Sequence, residues 1–558
     1  MSAGPSFLSY TPVSLTFGTS GLRGLVADIT DLEAYINVKG GLRYLEQAGD
    51  VVRGGTVVLG GDLRPSTPRI MLAAARAIVD AGFVVENAGM LPTPALMLHS
   101  LATRSAGVMV TGSHIPFDRN GIKINKSVGE VLKSDEAGIT SEVERIRADE
   151  YGRSADESAF DERGMLKAPP RLPRIMAAAT ERYVRRFVDG FGEATLNGIT
   201  VLVYEHSAVG RDLVGRILRE LGAEVVPAGR AETFIPIDTE NVTDELLGRL
   251  EALLTSAEAA GTSPHVIVST DGDSDRPLVA AVRPKGEAPR VQFLPGDLLG
   301  LVAADFLGAD AVAVPISSND AIEQRLHAGS TRLVKTKIGS PYVVAALAEL
   351  ISERKYERVV GWEANGGLLL GSEVVVGGAP LVPLPTRDSM LPILANLVAA
   401  ARARSPLSSL WKKLPTRYGR SGLKDHVPVV VSRAILRDLV PPGSVMEVTF
   451  ERGEVRGPGG ATLGEMEKAA WRETARSLAR YFTTGLGFGD VVRINVLDGV
   501  RVTFSNGDVA HLRPSGNAPQ LRIYANADSE RRATEIVELG LEEPNGVLAA
   551  LARAHAPV

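Results

Sequence analysis

The sequence predicts an α/β protein built on parallel sheets and closed by a C-terminal domain of α+β type. Short β-rich runs alternate with Ala/Leu/Arg-rich helical stretches over most of the chain, and repeated β–α–β order implies parallel strands joined by right-handed crossovers. Beyond Tyr418 the style changes to strands separated by Gly- and Asp-containing turns. With 558 residues there is room for roughly three to five domains.

In order, residues 56–60 read as a buried strand ending in glycine, 69–81 as a helix and 83–86 as the next strand. The alternation returns at 200–204, with a helix near 213–221, and again at 265–269 and 311–315. The polar stretch 148–173, Pro-rich toward its end and without period, is expected to link a first domain to a second. Further boundaries are expected near 296–308 and in the basic, Pro-containing 402–418. In the tail, 427–432, 444–451, 491–496 and 500–504 read as strands. Asn506-Gly507-Asp508 reads as a hairpin turn, and 529–541 as a helix. The expected domains are 1–173, 174–298, 299–410 and 411–558.

Composition removes several function classes. The net charge of −5 offers no basic surface for nucleic acid, so any phosphate must be held by a local site. Cysteine is absent, which excludes disulfides, thiolate-ligated zinc and thiol nucleophiles. No signal peptide and no apolar run of about 18 residues is seen, so a cytoplasmic protein without membrane contact is expected.

The sharpest motif is Asp271-Gly272-Asp273-Ser274-Asp275-Arg276, just after the strand at 265–269. Alternate side chains of an extended segment face one way, so three carboxylates can meet one hard cation such as Mg²⁺. Its place beyond the carboxyl end of a strand is where open α/β sheets put ligands. An EF-hand does not fit, because Arg276 and Val282 stand where that loop needs Gly and Glu. A polar turn whose Asp residues cap backbone N–H groups is the competing reading.

A second motif, Thr111-Gly112-Ser113-His114-Ile115-Pro116, follows the strand 107–110 and precedes Lys123. A serine on a restrained loop can be a nucleophile, with His114 and Lys123 offering a proton acceptor or a charge. The G-x-S-x-G elbow is not matched, and an ordinary loop serine remains open. In Arg513-Pro514-Ser515-Gly516-Asn517-Ala518-Pro519, the guanidinium suits phosphate by its fork and small residues let backbone N–H groups approach an anion. A surface turn is the alternative. Glu363 and Asn365, in a Gly-rich segment after a strand end, can hydrogen-bond sugar hydroxyls. Lys337 sits at a strand end before a helix, and Arg23 lies in the glycine-bracketed 18–24; taken alone, Lys337 reads as a solvated side chain and the 18–24 stretch as a flexible turn.

Taken together and in order, these segments resemble the α-D-phosphohexomutase superfamily of phosphomannomutases and phosphoglucomutases. The resemblance covers a phosphoserine loop at Ser113, a metal loop at Asp271, Asp273 and Asp275, a sugar loop at Glu363, and a phosphate loop at Arg513 to Asn517. The stretch 18–24 resembles the superfamily's G-T-S-G-x-R-G. Departures are visible: Gly112 and Ile115 within T-A-S-H-N-P, Ser274 within D-G-D-G-D-R, and Asn365 and Gly367 for the Ser and His of G-E-x-S-G-H. Asn517 and Ala518 replace Thr and Glu in the phosphate loop.

The resemblance implies three α/β domains with mixed or parallel sheets and a C-terminal α+β domain around a central cleft. It implies a phosphoryl group on Ser113, with Mg²⁺ held by Asp271, Asp273, Asp275 and the Ser113 phosphate. The substrate would be a hexose phosphate, with hexose 1,6-bisphosphate as intermediate and activator. Arg513, Ser515, Gly516 and Asn517 would hold the substrate's other phosphate, and Glu363, Asn365, Lys337 and Arg276 would complete the substrate site. Lys123 would be the base, with a lowered pKa, and His114 the second choice. Arg23 would stabilise the transferring group. Mannose is the expected sugar, with glucose also accepted; a glucose-preferring enzyme and a non-catalytic sugar-phosphate-binding relative are the alternatives.

Overall fold

The computed structural model describes residues 7–17, 21–327, 329–443, 445–515 and 519–556. The chain forms two compact units. One is Met1–Val314, Ser330–Val334 and Gly339–Lys413; the other is Pro315–Gly329, Lys335–Ile338 and Leu414–Val558.

The first unit contains three mixed sheets. In the first, Thr56–Gly61 runs parallel to Val84–Met90 on one side and to Ala106–Val110 on the other. Arg119–Lys126 then returns antiparallel beside Ala106–Val110, followed by Leu22–Leu25 and Thr16–Phe17. Val57, Val58 and Leu59 are all inaccessible, as a strand covered on both faces requires. The helix Thr67–Asp80 provides part of that cover. Pro68 occupies its first turn, where the missing N–H has no intrahelical partner to lose, and Ile70, Ala74, Ala77 and Ile78 recur on its buried face.

The second sheet has Thr200–His206 parallel to both Glu224–Arg230 and Val266–Thr270. Pro277–Val282 returns antiparallel beside Val266–Thr270. The third has Ala311–Pro315 parallel to Val359–Trp362, with Leu368–Leu370 and Leu384–Asp388 returning antiparallel. The predicted parallel order therefore holds at the heart of each sheet. The antiparallel return strands complete it, and the loops carrying the candidate chemistry are the tips between a parallel strand and its return.

The expected linker at 148–173 is packed rather than loose. The helix Glu136–Tyr151 enters it, Phe160 is buried in the first core, and Leu166 donates its N–H to Asp31. The segment near 296–308 is the helix Gly296–Leu307, almost wholly buried.

The second unit is built on a seven-stranded antiparallel sheet, in the order Tyr418–Lys424, Leu521–Ala527, Val509–Pro514, Val500–Phe504, Val491–Asn495, Glu447–Glu451 and Glu454–Arg456. Gly507, at φ 85, makes the predicted tight turn between Val500–Phe504 and Val509–Pro514. The expected strand at 427–432 is instead the start of the helix Val429–Leu439. Pro428 stands at its N-cap, and Val431, Ile435 and Leu439 repeat at four-residue spacing on the buried face. That periodicity overrides the β preference of three consecutive valines. No helix among the described residues is long and apolar enough to cross a membrane.

Candidate active site

Ser113 sits at the tip after Ala106–Val110, fully buried and at φ 55. Its N–H donates to Thr111 Oγ1 at 2.8 Å, and its hydroxyl donates to Asp271 Oδ2 at 2.7 Å. His114 Nδ1 lies 3.4 Å from the same hydroxyl. A left-handed non-glycine residue costs on the order of 1–3 kcal/mol, so the loop needs external support. Arg64, which the sequence reading did not single out, supplies it. Its guanidinium donates to the carbonyls of Ser113 at 2.8 Å, Pro116 at 2.6 Å and Arg119 at 3.0 Å, and to Asp62 Oδ2 at 3.2 Å. Asp62 in turn accepts from the hydroxyls of Thr67 and Thr111, both at 2.7 Å. The available signal was an Asp-x-Arg sequence at the carboxyl end of the strand Thr56–Gly61, the edge where ligand loops gather.

The three aspartates meet, though not by extended alternation. The segment is a tight turn. Asp271 Oδ1 accepts from the N–H groups of Asp275 and Arg276, each at 3.1 Å, and Asp271 donates its own N–H to Arg276 O. Ser274 takes φ 57. One carboxylate oxygen from each aspartate lies within 4.8 Å of the other two. The turn reading and the metal reading thus coexist: one oxygen of Asp271 closes the loop, and the rest of the triad faces inward. Asp273 Oδ1 and Asp275 Oδ1 are buried with no hydrogen-bond partner. Buried carboxylate oxygens left in this way are costly, and hard oxygens converging on one point suit Mg²⁺.

Cations crowd the triad. Lys123 Nζ donates to Asp273 Oδ2 at 2.7 Å and to Asp275 Oδ2 at 3.1 Å. Burial pushes this amine down, but the two carboxylates outweigh it and raise its pKa, the opposite of the lowered value expected of a base. Burial raises Asp271 well above the usual carboxylate range, with Asp273 and Asp275 adding to it. Asp273 is pushed up by burial and then pulled below its ordinary value, first by the Lys123 charge. Arg23, in Leu22–Leu25, is lowered to about 10 by burial and by the nearby Arg276 and Arg387. His114 is lowered to about 2 by burial and by Arg276 and Arg23, so its imidazole is neutral at pH 7.

Glu363 and Asn365 occupy the tip after Val359–Trp362. Glu363 Oε2 accepts from Arg387 Nη1 at 2.9 Å, and Arg387 also donates to Asp275 Oδ2 from Nε at 3.1 Å and Nη2 at 2.9 Å. Arg387, on the strand Leu384–Asp388, was not foreseen either; a charged residue inside a buried strand was the available signal. Asn365 is engaged internally, its Oδ1 accepting from Gly367 N–H at 3.0 Å and its Nδ2 donating to Glu240 at 3.2 Å. Arg276 approaches Glu240 Oε1 at 3.5 Å and Asp275 Oδ1 at 3.6 Å. A space of about 40 Å³ beside Lys123 and Arg387, lined also by Asn125, Glu130 and Thr386, has room for a few water molecules and none for a hexose.

Lys337, Arg513 and Ser515 belong to the second unit. Arg513 Nε donates to Asp498 Oδ2 at 3.0 Å, and the same oxygen accepts from Ile338 N–H at 2.9 Å. Asp498 therefore ties the Lys337 segment to the Arg513 loop. Ser515 closes the hairpin by donating its N–H to Gln520 O at 2.9 Å. Gly516 and Asn517, like residues 18–20, lie outside the described residues.

Comparison with known proteins agrees with this arrangement. Residues 14–150 match the phosphoglucomutase/phosphomannomutase alpha/beta/alpha domain I, 295–418 match domain III, and 464–539 match the C-terminal domain. A phosphomannomutase of Sinorhizobium fredii is 37% identical over 531 residues, covering 94% of this chain and 98% of that protein. The chain belongs to the phosphoglucomutase/phosphomannomutase family, within the α-D-phosphohexomutase superfamily. It is therefore an enzyme, a hexose phosphate mutase that transfers phosphate intramolecularly. A Salmonella muenchen phosphomannomutase is 36% identical over 530 residues, covering 94% of each chain. In fold, a phosphoglucomutase/phosphomannomutase family protein from Burkholderia thailandensis superposes with a TM-score of 0.65 at 18% identity, covering 96% of this chain and 98% of that one.

Three of the departures from the phosphohexomutase motifs now have physical reasons. A Cβ on Gly112 would stand 2.7 Å from Arg64 Nε and Cζ, so glycine here accompanies that arginine. Ser274 occupies a left-handed position that suits the usual glycine. Its hydroxyl compensates by accepting from Gly210 N–H at 2.9 Å and from Thr270 Oγ1 at 2.8 Å. A Cβ on Gly367 would stand 2.8 Å from both Arg387 Cβ and Asp275 O, so no histidine fits there beside Arg387.

Proposed function

We propose that this mutase interconverts hexose 1-phosphate and hexose 6-phosphate in the cytoplasm, mannose ahead of glucose, with Ser113 carrying the phosphoryl group. The supporting observation is the Ser113 hydroxyl on Asp271, with oxygens of Asp273 and Asp275 that lack a hydrogen-bond partner in the same triad. Asp271, Asp273 and Asp275, with a phosphorylated Ser113, would hold Mg²⁺, which when bound neutralises charge on a transferring phosphoryl group. The choice of mannose rests on the two relatives called phosphomannomutase. Four domains, bounded near 173, 298 and 410, are proposed to carry one loop each.

In this reading a hexose hydroxyl attacks phosphorus on Ser113. A sugar O–P bond forms as the P–Oγ bond breaks, and hexose 1,6-bisphosphate results. Lys123 Nζ is assigned as the base in its neutral form, which burial favours and which it reaches only when Asp273 and Asp275 no longer hold it as the ammonium. The proton it takes from the sugar hydroxyl passes to the Ser113 Oγ freed by the broken bond. Arg23 and Arg276 bring positive charge to the phosphoryl oxygens. Glu363 accepts from sugar hydroxyls, and Arg513 with the loop around Ser515 holds the second phosphate. The bisphosphate then presents its other end and returns a phosphoryl group to Ser113.

A coupled assay with Mg²⁺ and a trace of hexose 1,6-bisphosphate, comparing mannose 1-phosphate with glucose 1-phosphate, tests the reading. Conversion of mannose 1-phosphate at the higher kcat/KM is expected, and Ser113→Ala abolishes it. Full turnover in Ser113→Ala would remove the phosphoserine, and release of inorganic phosphate from either sugar would indicate a phosphatase.

A further inference from the structure

The metal loop and the sugar loop are joined by one side chain. Arg387 is 3% exposed. Its fork is divided, with Nε and Nη2 on Asp275 Oδ2 and Nη1 on Glu363 Oε2. Asp275 has a second oxygen that is buried and has no hydrogen-bond partner. Arg387, with Lys123 Nζ on the same oxygen at 3.1 Å, holds Oδ2 of Asp275 and leaves Oδ1 without a hydrogen bond, and the same planar group holds the Glu363 carboxylate. The arrangement requires emptiness at position 367, since a Cβ there would meet Arg387 Cβ at 2.8 Å and Cδ at 2.9 Å. The Asp275 carbonyl, at 2.8 Å from the same Cβ, closes the position as well.

We propose that Arg387 is a positioning residue through which metal binding at the aspartate triad and sugar binding at Glu363 depend on each other. The inference rests on the reading that the triad takes a divalent cation and Glu363 takes sugar hydroxyls. A guanidinium can serve both carboxylates because its donors are fixed in one plane. A lysine keeps the charge and loses the fork. Arg387→Lys therefore separates geometry from electrostatics: any weakening of metal binding in that variant cannot come from lost positive charge, which would strengthen cation binding. By thermodynamic reciprocity, whatever the sugar does to metal affinity the metal does to sugar affinity.

Direct titration of Mg²⁺ by calorimetry, which needs no turnover, is the test. Arg387→Lys is expected to weaken Mg²⁺ binding about 10-fold or more, the range seen when a partner of a metal ligand is lost, and to raise the KM for mannose 1-phosphate together with it. Glu363→Gln, which alters no aspartate, is also expected to weaken Mg²⁺ binding, and to have no further effect in the Arg387→Lys background. The proposal is overturned if Arg387→Lys changes Mg²⁺ affinity by less than twofold. It is equally overturned if only one of the two affinities moves, or if the Glu363 and Arg387 effects simply add. Absence of Mg²⁺ binding or of mutase activity in the unmodified protein would instead sink the reading under Proposed function.

Discussion

At the scale of single residues, the unusual conformation of Ser113 is underwritten by Arg64. The guanidinium is 1% exposed and is spread over the carbonyls of Ser113, Ile115, Pro116 and Arg119 and one carboxylate. A lysine could meet Asp62 but not all four carbonyls. Arg64→Ala leaves Asp62 buried without its charge partner, a loss on the order of 3–5 kcal/mol, read as a lower urea midpoint. Arg64→Lys should cost less stability yet lower kcat by about 10-fold, because misplacing a reacting atom by about 1 Å can cost up to 100-fold. Gly112→Ala should destabilise by about 1–3 kcal/mol through overpacking, and by much less once Arg64 is alanine. A titration prediction belongs to this scale as well. His511 is 1% exposed, hydrogen-bonded through Nε2 to Asp498 O, and lowered by burial to about 4. Its folded pKa lies below the unfolded value near 6.5, so the unfolded chain binds the extra proton between those values. Stability tied to His511 is thus complete above pH 6.5 and falls as pH drops toward 4, by up to about 1.4 kcal/mol per pH unit. His511→Gln should remove that part of the slope in urea unfolding measured at pH 4.5 and pH 7.

At the scale of elements, each candidate loop is the tip between two adjacent strands. Ser113 lies between Ala106–Val110 and Arg119–Lys126, and Asp271 to Asp275 between Val266–Thr270 and Pro277–Val282. Glu363 lies between Val359–Trp362 and Leu368–Leu370, and Ser515 between Val509–Pro514 and Leu521–Ala527. The sequence made the four loops legible, and the strands before the first three, because glycine, proline and alternating aspartates punctuate apolar runs; Val509–Pro514, before the Ser515 loop, was not among the strands read. It concealed Arg64, Arg387 and Asp498, because a lone charged residue carries no local pattern and acquires its partners only when distant segments meet. The helix Val429–Leu439 was misread for a related reason. Three adjacent valines suggest a strand, whereas the burial of Val431, Ile435 and Leu439 shows a repeat of four. Ile435→Ala should therefore cost about 2–5 kcal/mol. Val430→Ala, at a position 60% exposed, should stay within about 0.5 kcal/mol. A strand would instead have put Val429 on the same face as Val431, and unfolding of Val429→Ala, exposed here, beside Val431→Ala distinguishes the cases.

At the scale of the whole molecule, the two units are not two consecutive pieces of sequence. The chain leaves the first unit after Val314, contributes Pro315–Gly329 to the second, and returns at Ser330. That excursion carries Asp320 and Glu323. Asp320 accepts from Arg417 Nε at 2.9 Å and Nη2 at 2.8 Å, and Glu323 pairs with Arg493. Burial pushes Glu323 up, but Arg493 outweighs it and holds the carboxyl at about 2. The Arg417 side chain is 3% exposed and also donates to Asp528 Oδ1 at 2.5 Å, so Asp320→Asn removes its buried partner and leaves the exposed one, a loss below the roughly 3–5 kcal/mol of a buried charge left wholly unpaired. That loss should fall on the second unit. In hydrogen exchange on the full chain, amides of Tyr418–Lys424 and Leu521–Ala527 should exchange faster in Asp320→Asn than in the parent. The proposed metal site, by contrast, lies in the first unit, because all three aspartates are there. If the triad takes Mg²⁺, the ion at 100 times its dissociation constant would contribute about 2.7 kcal/mol, which should slow exchange in Val266–Thr270 and Ala106–Val110. If Asp320→Asn loosened Ala311–Pro315 and left the Tyr418–Lys424 strand as it was, the excursion would belong energetically to the first unit, and the partition of the chain would have to be redrawn at Gly329.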